Sequence, residues 1–139
     1  MTVLARARRR LGRRGAFLGC FGAVWVLYGT GLLVQPVPDT RGLRHVLALA
    51  PMNVWAWCWI VAGAVAVVAA WKPGGADWPG FAALTVMVVP WALSPALAWV
   101  GGEYPRGWIA AAIWAALGVG CAVVAGWPEP PGTRKHEAR

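Results

Sequence analysis

The residues of this chain that could carry chemistry are few and stand apart. Its acidic side chains are Asp39, Asp77, Glu103, Glu129 and Glu137, and its cysteines are Cys20, Cys58 and Cys121. General acid–base work needs a positioned titratable group, and covalent catalysis needs a nucleophile with its base. The carboxylates here fall singly in turns or in the C-terminal tail, and no His–Asp or Ser–His constellation is visible. Each cysteine is embedded in an apolar run. There is no Cys-x-x-Cys and no histidine or acid at ligand spacing, so a metal or redox site lacks its parts. His45 has no second ligand beside it, and Glu103-Tyr104-Pro105-Arg106, the densest polar cluster, reads as a tight turn. The expectation is a chain that is not an enzyme, with no catalytic residue, no bound metal and no cofactor.

One segment could do chemistry with its backbone. Val89-Pro90-Trp91-Ala92-Leu93-Ser94-Pro95 places two prolines five apart in the middle of an apolar stretch. Each lacks the N–H that would bond the carbonyl one turn back. The freed carbonyls need another partner, and Ser94 and Thr85 are the nearest hydroxyls. Broken helices of this kind form ion or substrate sites in transporters. With no ionisable residue in the surrounding helix, the reading is a structural kink at Pro90, Ser94 and Pro95.

The elements that must position these residues are set by where charge is excluded. Residues 15–34, 46–71, 78–102 and 107–128 contain no Asp, Glu, Lys, Arg or His. A charge at the bilayer centre costs several kcal/mol and one at the headgroups costs little. A spanning helix needs about 20 largely apolar residues, so four spans nearly exhaust a chain of 139 residues that is 59% hydrophobic. The predicted fold class is an all-α membrane protein, a bundle of four transmembrane helices with a short amphipathic interfacial helix in the first outer loop. The predicted organisation is a basic tail over 1–14, a transmembrane domain over 15–128 and a polar tail over 129–139. Within the domain the spans are expected at about 16–34, 54–71, 80–100 and 107–127, and the interfacial helix at about 41–50. The first helix is expected to remain uncleaved, because its apolar run is long for a signal peptide and no small-x-small site follows that run before Pro36 and Pro38.

The net charge of +8 is concentrated at span ends. Arg6, Arg8, Arg9, Arg10, Arg13 and Arg14 precede the first span, Lys72 lies in the second loop, and Arg134, Lys135 and Arg139 follow the last. Arg41, Arg44 and Arg106 fall on the other side, a distribution of ten against three. The positive-inside rule then places both termini in the cytoplasm of a plasma (inner) membrane. Arg6, Arg8, Arg9, Arg10, Arg13, Arg14, Arg134 and Lys135 read as topology signals and contacts to anionic lipid. Without an aromatic-interleaved binding module, no nucleic-acid partner is expected.

The tryptophans fit the same frame. Trp55, Trp57, Trp59, Trp99 and Trp108 cluster at outer span ends and Trp71, Trp78 and Trp127 at inner ones, where an indole ring is sheltered and its N–H stays wet. Trp25, Trp91 and Trp114 fall near mid-span and read as packing bulk. In the first outer loop Leu43, Val46, Leu47 and Ala50 recur at helical spacing, with Arg41, Arg44 and His45 on the other side. That pattern predicts a helix lying in the interface and ended by Pro51. Small residues four apart, Ala112, Ala116 and Gly120, Gly118, Ala122 and Gly126, and Ala62, Ala66 and Ala70, supply faces for close helix approach.

The Arg-rich start, the loop over 38–43, the turn Asp77-Trp78-Pro79-Gly80-Phe81 and the run Trp127-Pro128-Glu129-Pro130-Pro131 carry a full-length resemblance. The chain resembles uncharacterised four-span membrane proteins of high-GC actinobacteria and their phages, which implies a membrane address and no defined activity. Small four-helix multidrug exporters depend on a Glu in the first span, which this chain lacks. The reading is a non-enzymatic membrane component or accessory protein, whose partners are the lipid bilayer and either further copies of itself or another membrane protein. The alternatives are a holin-like protein that permeabilises a host membrane and a small transporter or channel subunit.

Overall fold

The computed structural model describes residues 3–35, 37, 39–72 and 75–128. Every regular element among them is helical: α1 (Val3–Val34), a 3-10 turn (Arg41–Leu43), α2 (Arg44–Leu49), α3 (Met52–Ala69), α4 (Trp78–Val100) and α5 (Gly107–Ala125). Leu11–Val34 of α1, with α3, α4 and α5, form four helices long and apolar enough to cross a membrane, with 18 to 24 residues each and mean hydropathies of 1.8 to 2.1. At 1.5 Å per residue these lengths reach roughly 27–36 Å, enough for a hydrocarbon core of about 30 Å. The fold is the expected four-helix bundle. The first span starts earlier than residue 16, because the helix continues through Arg13 and Arg14. The break falls instead at Gly12, whose φ of 65° and ψ of −176° lie in a region open essentially to glycine alone.

Consecutive spans run antiparallel, and α1 with α3 makes the most extensive contact, followed by α4 with α5. Glycine and alanine set the first of these. A Cβ built on Gly15, Gly22 or Gly29 would lie 2.6, 2.7 or 2.6 Å from the carbonyl oxygen of Ala70, Gly63 or Ala56 respectively. Both helices thus place their small residues seven apart and in opposite sense, the spacing of a left-handed antiparallel seam. No larger side chain would allow the backbones this close.

The bundle interior is aromatic. Trp59 from α3 is fully buried and packs against Trp25 and Tyr28 from α1, Trp91 from α4 and Trp114 from α5, with ring centroids 4.9 to 5.5 Å apart. All four spans contribute to this hub. Aromatic pairs in such edge-to-face arrangements contribute about 0.5–1.5 kcal/mol each beyond area burial. In hydrocarbon, where burial of apolar surface gives no drive between helices, these contacts and the close backbone seam hold the bundle together.

Candidate functional site

At one end of the bundle, α1, the α3–α4 loop and the end of α5 converge on Arg14. Its Nε and Nη2 donate to Oδ2 and Oδ1 of Asp77 at 3.1 and 2.9 Å, and Nη1 donates to the Trp127 carbonyl at 3.1 Å. The guanidinium carbon sits 5.3 Å from the Phe81 ring centroid. The side chain of Asp77 is 4% exposed and that of Arg14 15%. A planar fork with its charge against a carboxylate, a carbonyl and an aromatic face is a geometry that guanidinium satisfies and ammonium does not. Arg14, expected as a topology signal and a contact to anionic lipid, thus makes its contacts inside the protein. Its charge is spent inside the protein, on an acid that looked isolated in its turn. Arg13 beside it is exposed, as a headgroup contact requires. The side chains of Arg6, Arg8, Arg9 and Arg10 lie outside what the structure describes, and Arg134 and Lys135 lie outside the described residues altogether.

The tryptophans divide into two classes. Trp71, Trp78 and Trp127 are exposed at the Arg14 end, and Trp57, Trp99 and Trp108 are exposed toward the other. Trp55 is half-buried and donates its indole N–H to the Val46 carbonyl at 3.0 Å. Trp59 is the correction: it does not stand at the lipid boundary but forms the centre of the aromatic hub. Its neighbours Trp25, Trp91 and Trp114 fill the interior, with Trp91 donating Nε1–H to the Tyr28 hydroxyl at 3.0 Å. The buried indole N–H groups of Trp25 and Trp59 have no protein acceptor among the described residues.

At the opposite end the loop between α1 and α3 caps the bundle. Leu43, Val46, Leu47 and Ala50 form the more buried side of the short helical segment, as their spacing predicts, with Val46 fully enclosed. The Val46 N–H donates to Ser94 Oγ at 3.4 Å, and Arg44 pairs with Glu103. Gly42 packs against the Tyr104 ring. Asp39 accepts from the Arg41 side chain and backbone N–H, which holds its carboxyl below the ordinary carboxylate range. The segment is therefore docked on α4.

This docking also answers what Ser94 does. α4 runs as one helix from Trp78 to Val100 with Pro90 and Pro95 inside it. Ser94 does not serve as the donor expected for a carbonyl freed by the prolines; it accepts from the cap. Thr85 and Thr30 each donate to the carbonyl four residues back, Phe81 at 2.9 Å and Val26 at 2.8 Å. The hydroxyls of Tyr28, Thr30, Thr85 and Ser94 are thus engaged in holding the fold. Cys20 and Cys58 are exposed, Cys121 is buried, and all three are free. Among the described residues no three metal-ligating side chains come together.

The outer face between α3 and α4 is open. A groove of about 620 Å³ lies between Val54, Trp57, Val61, Ala83 and Val86, and a second of about 410 Å³ continues past Val61 and Val65 to Lys72 and Pro79. Comparison with protein-family models, with curated proteins and with solved structures finds no match to this chain.

Proposed function

We infer that this chain is a non-enzymatic component of a cell's plasma membrane, with both termini cytoplasmic, that works by associating with another membrane protein or with further copies of itself. The observation that supports this most directly is the hub of Trp25, Trp59, Trp91 and Trp114 with Tyr28, which fills the bundle axis with edge-to-face and tilted rings from all four spans. A conducting or coupling protein of one bundle needs a polar track there. Here Tyr28, Thr30, Thr85 and Ser94 are each hydrogen-bonded within the fold. The outward surfaces, by contrast, are apolar and only shallowly packed.

Inducible expression in a bacterium, with membrane potential followed by a voltage-sensitive dye, separates the readings. An unchanged potential and unchanged growth are expected. Collapse of the potential with lysis would overturn the reading in favour of a holin-like pore, and solute-dependent uptake would favour a transporter subunit. Cross-linking in native membranes followed by mass spectrometry then identifies the associated chain. Recovery of cross-linked species at twice the chain mass supports self-association. Alkaline phosphatase fusions at both ends, inactive if the ends are cytoplasmic, test the orientation that the ten-to-three charge bias supports.

A further inference from the structure

We propose that the groove between α3 and α4 at the Lys72 end seats one anionic phospholipid, its phosphate on the Lys72 ammonium and an acyl chain along Val68, Val65 and Val61. Three observations carry this. The groove of about 410 Å³ is bounded by Val61, Val65, Val68, Lys72 and Pro79, so it is apolar along its length and cationic at its mouth. From Val61 to Lys72 is roughly 16 Å at helical rise, which is half of a hydrocarbon core of about 30 Å and therefore the depth of one leaflet. Trp71 and Trp78, each exposed and next in sequence to the groove residues Lys72 and Pro79, put Lys72 at headgroup level.

Charge supports the choice of an anionic occupant. The acid in the same loop, Asp77, is buried and taken up by Arg14. It leaves Lys72 exposed and, among the described residues, without an ion pair. A zwitterionic lipid would bring its own ammonium to that mouth, whereas a phosphatidylglycerol headgroup brings only negative charge.

The test is native mass spectrometry of the full chain, released from membranes of equal phosphatidylglycerol and phosphatidylcholine content, counting the lipids retained. Retention of phosphatidylglycerol over phosphatidylcholine by about fivefold is expected, the factor one basic residue contributes at an anionic surface. Lys72→Gln brings that ratio close to unity, while Lys72→Arg keeps it. Ala64→Trp, which fills the groove from an exposed position, lowers retention of both lipids. Arg106→Gln, at the opposite end, leaves the ratio as in the parent. Equal retention of the two lipids by the parent chain, or a preference that survives Lys72→Gln, overturns the proposal. All these positions are exposed or at a groove edge, and circular dichroism confirms that each variant keeps its helicity.

Discussion

Arg14 and Asp77 stand 63 residues apart in the chain and meet in a bidentate ion pair that is nearly closed to solvent. The pair joins the first turn of one span to the turn that starts another, and the Trp127 carbonyl brings in the end of the fourth. A charge whose place in the sequence suggests a topology signal is also a structural staple.

Breaking that staple from one side leaves a buried charge without its partner. Arg14→Ala or Asp77→Ala is expected to destabilise the bundle by about 3–5 kcal/mol. The double variant should cost clearly less than the sum of the two, since neither charge then remains buried alone. Arg13→Ala, at an exposed position, should change stability by no more than about 0.5 kcal/mol. Unfolding in detergent, titrated with denaturant and followed by tryptophan fluorescence, measures all four. Equal small effects for Arg13 and Arg14 would return Arg14 to the class of topology signals.

Much of this architecture is legible before any coordinates. Four charge-free stretches mark the spans, and the periodicity of Leu43, Val46, Leu47 and Ala50 marks the capping segment, because cost of burial acts on each residue where it stands. Pairings between distant residues are not local properties, so in sequence Arg14 resembles its exposed neighbour Arg13 and Asp77 an isolated turn residue. Two signals were present in plain view. At 100° per residue, Trp55 and Trp59 fall on one helix face and Trp57 on the other, which is how the structure divides them between interior and lipid. Gly15, Gly22 and Gly29 recur every seven residues, as do Ala56, Gly63 and Ala70, a row that the four-residue spacing of Ala62, Ala66 and Ala70 meets only at its last member.

The glycine seam leads to the second expectation. A methyl group at Gly63 would press to 2.5 Å from the Gly22 carbonyl oxygen and 2.7 Å from the Val26 nitrogen, so backbone must move. Gly63→Ala is expected to cost about 1–3 kcal/mol from overpacking. Gly120→Ala, where a Cβ meets open space, should be neutral or stabilising by up to about 1 kcal/mol, because alanine is the better helix former. The same denaturant titration reads both. A loss at Gly120 equal to that at Gly63 would mean that the seam is not where close approach matters.

The two tryptophan classes should separate by energy. Trp59→Ala removes the ring that touches partners from every other span and is expected to cost about 3–5 kcal/mol. Trp57→Ala, two residues away and 58% exposed on the bundle surface, should stay within about 1 kcal/mol in detergent. Thermal melting of the purified variants supplies the comparison, and acrylamide quenching should report Trp57 but not Trp59 as accessible.

The docked cap gives the last expectation, because it is the part of the fold held by the fewest contacts and so the part that opens first. Ser94→Ala leaves the buried Val46 N–H without an acceptor, at a cost of about 1–3 kcal/mol, and the 3.4 Å length of the bond places the effect at the low end. That loss falls on cap docking and not on the aromatic hub, so the melting temperature should move little while the loop opens more often. Trypsin cleavage after Arg41 or Arg44, which requires local unfolding of the 3-10 turn and α2, should accelerate roughly fivefold or more, as about 1 kcal/mol of local stability implies. Arg44→Gln removes the exposed pair with Glu103 and one cleavage site together, so its effect is read at Arg41 and should be slight. Were Arg44→Gln to open the loop more than Ser94→Ala, the cap would be held from its rim and not from the buried hydrogen bond beneath it.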